Sequence, residues 1–166
     1  MTANEYNECV ERFADGIYRF VLKLSANDSD AKDTVQNTFE KLWKRYAEVD
    51  FDRAKAFLFT TAYRDWIDQN RKIKRMYFPE DLPDSARLDL DLGSFEQREL
   101  IEKAFTQIPS IQKSVILLRD YEGYSYEEIA DITGLNLSQV KVYIFRGRKK
   151  MQSAINGMQA FRQSQM

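Results

Sequence analysis

The sequence contains no histidine and a single cysteine in 166 residues. The first absence excludes a Ser-His-Asp triad, an imidazole general base and any histidine-ligated metal. The second excludes an internal disulfide and a cysteine-built zinc site, and makes a reducing cytoplasm the natural setting. Cys9 reads as a small helix residue, since nothing beside it would lower a thiol pKa. Proline (three) and glycine (six) are scarce, which points to long helices with few breaks. The longest uncharged run, 151–161, has eleven residues and includes Gln, Ser and Asn. A membrane-spanning helix needs about twenty mostly apolar residues. The opening Met-Thr-Ala-Asn-Glu-Tyr-Asn-Glu has neither the basic nor the apolar segment of a signal peptide, so a soluble chain is expected. Charge of one sign is lacking too: 25 Lys and Arg face 26 Asp and Glu, for a net −1. Taken alone, that balance and a pI of about 5.7 argue against a nucleic-acid partner. No phosphate-cradling glycine loop, metal cluster or nucleophile–base pair stands out. The chain is therefore not expected to be an enzyme, to carry a cofactor or to take a small-molecule substrate.

Helical spacing dominates what is present. Val10, Phe13, Ile17, Phe20, Val21 and Leu24 recur at three and four residues, one face of a first helix. Asn27-Asp28-Ser29-Asp30 is a cluster of cap and turn residues. A second helix is expected over 30–46, with Ala31, Val35, Phe39, Leu42 and Tyr46 as its apolar stripe, and a third over 54–75 after a charged loop. Residues 76–93 hold Pro79, Pro83, Gly93 and several acids without a helical period, and read as a flexible acidic linker. Helical spacing resumes near Phe95 through Ile108, and again over 110–121, ending at Gly123. No strand alternation appears. The expected fold is all-α: two small helical domains, 1–76 and 95–160, with a linker at 77–94 and a tail at 161–166. Both are near the lower size limit for a self-sufficient core.

The sharpest local signal lies in 125–151. Ser125 and Glu128 have capping-box spacing, Ile129, Ala130 and Ile132 form an inward face, and Gly134 suits a left-handed helix end. Asn136 can cap the next helix, with Gln139 three residues on. Val140, Ile144, Gly147 and Met151 share one face of that helix. This is helix-turn-helix spacing, in which the second helix enters the DNA major groove. From 137 to 150 there are five bases and no acid. The outer face is expected to carry Gln139, Lys141, Val142, Tyr143, Phe145, Arg146, Arg148 and Lys149. Gln139 could pair bidentately with adenine and Val142 could meet a thymine methyl, while Arg146, Arg148 and Lys149 suit phosphates. A solvated amphipathic helix that docks on protein is the alternative.

Residues 53–75 carry seven bases against two acids, interleaved with Phe57, Phe59, Tyr63 and Trp66. Such a helix suits single-stranded DNA, whose bases stack on rings while cations follow the backbone. The alternative makes these aromatics core. The second helix has mixed charge, with Asp33, Gln36 and Glu40 on one face and Trp43 as a candidate interface anchor. It suits a protein partner better than DNA, although a self-contained core helix has the same pattern. The near-neutral total is thus a cancellation. Residues 53–75 and 137–150 each carry +5, and 79–102 carry −6.

Three stretches, in this order, resemble the extracytoplasmic-function (ECF) class of the sigma-70 family of RNA polymerase sigma factors, over nearly the whole chain. Asp30-Ala-Lys-Asp-Thr-Val-Gln-Asn-Thr-Phe-Glu-Lys-Leu-Trp43 looks like region 2.2. Ala56-Phe-Leu-Phe-Thr-Thr-Ala-Tyr-Arg-Asp-Trp-Ile-Asp-Gln-Asn-Arg-Lys72 looks like regions 2.3 and 2.4. Ile108-Pro-Ser-Ile-Gln-Lys-Ser-Val-Ile-Leu-Leu-Arg-Asp-Tyr-Glu-Gly-Tyr-Ser-Tyr-Glu-Glu-Ile-Ala130 resembles the start of region 4. The resemblance implies an alternative sigma factor that directs promoter recognition, DNA melting and initiation, with a region 2 bundle and a region 4 helix-turn-helix. Its implied partners are core RNA polymerase (clamp coiled coil and flap), promoter DNA and an anti-sigma factor. It implies that Asp33, Gln36, Phe39, Leu42 and Trp43 face polymerase. It implies that Arg53, Tyr63, Arg64, Asn70, Arg71 and Lys72 serve the minus-ten element, with loop 46–53 holding a flipped-out base. Ser138, Gln139, Lys141, Val142, Arg146, Arg148 and Lys149 would serve the minus-thirty-five element. Tyr143 and Phe145 stand where Arg and His are usual, Asp65 where an apolar residue is frequent, and Trp66 where a small one is. Gly147 replaces the usual Ala, which should weaken its helix by about 1 kcal/mol. Two other functions fit the residues alone: a polymerase-independent helix-turn-helix regulator, and a helical adaptor that binds only protein.

Overall fold

The computed structural model describes residues 1–70 and 95–165. Among them there is no strand, and the helices are α1 (Ala3–Ser25), α2 (Asp28–Lys44), α3 (Ala54–Gln69), α4 (Phe95–Phe105), α5 (Ser110–Ile116), α6 (Tyr126–Thr133) and α7 (Leu137–Ser164). The acidic linker expected at 77–94, and the basic cluster Arg71, Lys72, Lys74 and Arg75, lie outside the described residues. These divide into two compact units, 1–70 with 127–134, and 95–126 with 135–165.

In the first unit α1, α2 and α3 pack pairwise as a three-helix bundle. Thr2 and Glu5 close a reciprocal capping box that starts α1. The helix ends at Ala26 in the left-handed region (φ 53°), whose N–H reaches Leu22 O at 2.8 Å. Asn27 then accepts from Asp30 N–H at 3.0 Å and starts α2, two residues earlier than the spacing suggested. Ile17, Phe20, Val21, Leu42, Leu58, Phe59 and Ala62 form the core. Phe20 and Phe59 meet edge to face with centroids 5.5 Å apart. Lys41 pairs with Asp65 at 2.5 Å and ties α2 to α3. Asp65, where the resemblance implies an apolar side chain, thus has an ionic partner.

In the second unit α7 is the long axis, against which α4 and α5 pack. Helix α5 continues as a π turn, Leu117–Tyr121, so this region closes where the sequence placed its end. Arg148 on α7 donates to both oxygens of Asp120 on that turn, at 2.5 and 3.2 Å. Gly147 is where α7 comes closest to α5. A Cβ there would lie 2.5 Å from Ile116 Cδ1 and 3.1 Å from Gln112 Cβ. The glycine expected only to weaken α7 is therefore the residue that lets α5 approach. Helix α7 also runs through Ser164, so the expected tail at 161–166 is mostly its last turn.

Candidate nucleic-acid and protein interfaces

Helix α2 has two stripes. Ala31, Thr34, Thr38 and Leu42 are buried, while Asp33, Gln36, Glu40 and Trp43 are exposed. Both recur at three and four residues, offset by one or two positions. The polymerase-facing expectation is corrected at two residues. Leu42 (0% exposed) and Phe39 belong to the core stripe. Tyr6 donates to Phe39 O at 3.1 Å and sets its ring edge against Phe39, so neither apolar side chain is free to meet a partner. Trp43 is 48% exposed. Its ring stacks on Tyr46 at 5.0 Å and 15°, and Tyr6 meets it edge-on at 4.9 Å, so a large apolar surface is presented in a fixed pose. Glu40, paired with Lys44 at 2.7 Å, is held below the usual carboxylate pKa by that hydrogen bond and charge.

Beside this face, α2, the 46–53 loop and α3 enclose a cleft of about 880 Å³. The α-ammonium of Met1 donates to Tyr46 O and Val49 O at 2.8 and 2.9 Å, and a 3₁₀ turn, Phe51–Arg53, leads into α3. Five cations and four acids line the cleft. Lys41 is spent on Asp65, Lys44 on Glu40, and Arg45 on Glu48 at 3.0 Å. Arg53 and Arg64 are exposed and have no ion pair among the described residues. Phe57 is half-buried in the wall, 5.8 Å below the Arg45 guanidinium.

Of the remaining minus-ten residues, Tyr63 is corrected. It is 4% exposed, with Trp66 also buried and its ring 6.4 Å away. Both fall on the face of α3 that carries Leu58, Phe59 and Ala62, where a ring gains more from the core than from solvent. Asn70 is exposed, but its side chain donates back to Trp66 O at 2.9 Å and closes the helix end. Arg71 and Lys72 lie outside the described residues.

The helix-turn-helix connection follows its sequence cues. Helix α6 ends at Thr133, Gly134 takes φ +75°, and Asn136 caps α7. The cap is reciprocal: Asn136 Oδ1 accepts from Gln139 N–H at 2.8 Å, and Gln139 Oε1 accepts from Asn136 N–H at 2.9 Å. The oxygen a bidentate adenine contact needs is therefore already in use by the cap that the Asn136–Gln139 spacing allowed. Ser138 and Lys149 are exposed, and Lys141 and Arg146 are half-buried. The Lys141 ammonium lies 5.9 Å from the Tyr126 ring, whose other neighbour is the Arg119 guanidinium at 4.5 Å. Arg148 is held by Asp120, with only 12% of its side chain exposed. Val142 is corrected, because it is 3% exposed, as is Tyr143. Both were placed on the outer face, but burial of an isopropyl group or a ring contributes roughly 1.5–3 kcal/mol. The structure keeps them from solvent, and burial also raises the Tyr143 phenol pKa.

No described helix is long and apolar enough to cross a membrane. The model of the Sigma-70 region 2 family matches residues 9–76, and that of Sigma-70, region 4 matches residues 98–151. The ECF RNA polymerase sigma factor SigE of Mycolicibacterium smegmatis is 28% identical over 88% of this chain, which spans 60% of that protein's length. The ECF RNA polymerase sigma factor SigL of Mycobacterium tuberculosis is 30% identical, over 75% of this chain and 74% of its own length. Among solved structures, the sigma factor RpoE in complex with the anti-sigma factor NepR, from Bartonella quintana, shares the fold with a TM-score of 0.72. It is 23% identical, over 93% of this chain and 98% of that one. Two sigma-70 regions in the same order, on helices that carry the motifs above, make the conclusion plain: the chain belongs to the ECF class of RNA polymerase sigma factors.

Proposed function

We propose that this chain directs initiation from a subset of promoters as an alternative sigma factor in the cytoplasm, by recruitment and melting rather than by chemistry of its own. The observation that carries the reading is the separation of the exposed Asp33, Gln36, Glu40 and Trp43 face of α2 from a cleft whose Arg53 and Arg64 have no ion pair among the described residues. A mixed-charge face with a fixed aromatic anchor and no excess of cations suits the clamp coiled coil of core polymerase better than DNA phosphates. The cleft suits a base flipped out of the non-template strand. Unstacking a base costs a few kcal/mol, which a walled pocket with Phe57 for stacking and cations for the backbone can offset.

Domain assignment follows the same reading. Residues 1–76 act as region 2 and 95–160 as region 4, joined by 77–94. Ser138, Lys141, Arg146 and Lys149 supply the duplex face, with Gln139 contributing its amide N–H₂. Each grip is weak alone. Polymerase raises the effective concentration of each for its site, so the free chain binds promoter DNA poorly. An anti-sigma partner is part of the proposal, supported by the complex recorded for the structural relative.

Run-off transcription with core polymerase on a library of randomised promoters tests this directly. The expected result is enrichment of two short elements at fixed spacing, dependent on both core polymerase and this chain. Tight binding of the free chain to a palindromic duplex would instead favour a polymerase-independent regulator. Failure to bind DNA even with polymerase present would leave a protein-only adaptor.

A further inference from the structure

A second concavity lies in the C-terminal unit between α5 and the middle of α7, and shares Arg146 and Lys149 with the proposed duplex face. It measures about 640 Å³, within the usual range for small-molecule sites. Arg146, Lys149 and Lys150 line it, and no acid does. None of the three has an ion pair or hydrogen bond among the described residues, whereas their neighbour Arg148 is neutralised by Asp120. Arg146 and Lys150 are four residues apart on one helix face, a like-charge spacing that destabilises a helix unless an anion sits between them. Polar groups of different kinds complete the lining: the Ser153 hydroxyl and the Gln107 and Gln112 amides.

Gln112 supplies an independent signal. It is only 6% exposed, and its Oε1 is buried with no hydrogen-bond partner among the described residues. An orphan buried acceptor is uncommon in a native fold and asks for an explanation. The terminal amide torsion is broad, so a donor arriving in the cleft can satisfy that oxygen after a small rotation.

We propose that this cleft binds a small phosphorylated ligand of the nucleoside-phosphate class. The phosphates would meet Arg146, Lys149 and Lys150, and a sugar hydroxyl or base amine would donate to Gln112. Duplex DNA fits the cations but not the rest. Its phosphates carry no donor for the Gln112 oxygen. The ligand is an effector rather than a substrate, since no group in the cleft is arranged for bond-breaking.

Isothermal titration of the full-length chain with ATP, GTP, inorganic pyrophosphate and adenosine tests the site. A nucleoside triphosphate is expected to bind once per chain, pyrophosphate more weakly, and adenosine not measurably. Lys150→Ala should weaken nucleotide binding about tenfold, the scale of one charge-assisted hydrogen bond, and Gln112→Leu about threefold to tenfold, the scale of a neutral one. Because Gln112 touches the α5–α7 packing, Ala154→Glu at the cleft wall serves as a second variant. It should abolish binding while the thermal unfolding midpoint stays unchanged. The proposal is overturned if no phosphorylated probe binds, if binding is indifferent to Lys150→Ala and Ala154→Glu, or if these variants weaken only duplex DNA binding.

Discussion

Asn136 and Gln139 exchange two hydrogen bonds, each side chain accepting from the other's backbone N–H, at 2.8 and 2.9 Å. The residue that starts the recognition helix and the one best placed to read a base are thus joined in a single cap. Gln139→Glu separates the two tasks. A carboxylate keeps the acceptor and favours the helix N-terminus, so the thermal midpoint should hold or rise slightly. It loses the N–H₂ donor and repels phosphate, so promoter affinity of the polymerase complex should fall by about 1–3 kcal/mol. Paired melting curves and promoter titrations would measure both. A parallel loss of stability would mean that the cap is not as described.

Leu42 and Trp43 are neighbours in sequence with opposite exposure, and their truncations should separate accordingly. Leu42→Ala should cost about 2–5 kcal/mol of stability by leaving a core cavity. Trp43→Ala should cost little stability but at least about 2 kcal/mol of core-polymerase affinity. Chemical denaturation and a polymerase pull-down titration distinguish them, and equal effects on both readouts would contradict the two-stripe reading of α2.

Gly147→Ala pits two effects against each other. Alanine gains about 1 kcal/mol of helix propensity. Its methyl would press on Ile116 Cδ1 and Gln112 Cβ, and overpacking of this kind costs about 1–3 kcal/mol. Ile116 is itself buried, so its side chain has little room to yield. Net destabilisation is expected in urea unfolding. A gain of a full kilocalorie would show that α5 and α7 do not approach so closely.

Tyr121 gives the C-terminal unit an alkaline limit. Partial burial of the ring, whose residue is still 41% exposed, followed by the nearby Glu102 and Asp120 charges, pushes its phenol up to about 12. An unfolded tyrosine ionises near pH 10, so between about 10 and 12 the unfolded state binds fewer protons than the folded one. Stability therefore falls with rising pH across that window and is unaffected by this group below it. Urea midpoints from pH 9 to 11.5 should decline less steeply in Tyr121→Phe than in the parent chain.

Much of this was legible in the sequence because helical period and cap chemistry are local. The α5–π-turn segment ended at Tyr121 and α7 began at its Asn136 cap, as spacing required. What was not legible depended on neighbours distant in sequence. Phe39 and Leu42 fit either stripe of an amphipathic helix until α1 and α3 are in place. Tyr63 and Trp66 look the same as core or as stacking platforms. Gly147 reads as a weak point until Ile116 arrives beside it. The double duty of Gln139 was hidden for another reason, since a side chain that can read a base can equally fold back on its own helix.

The ion pair between Arg148 and Asp120 also has a stoichiometric consequence. DNA binding releases counterions in proportion to the cations that reach phosphate, with log affinity falling by about 0.9 per contact against log salt. Five bases lie between residues 137 and 150, and Arg148 is already neutralised within the fold. Residues 137–150 should therefore contribute a salt slope no steeper than about −3.6. Asp120→Asn frees the fifth charge and should steepen that slope by nearly one unit, so an acid on the far turn sets how strongly the promoter complex responds to cellular ionic strength.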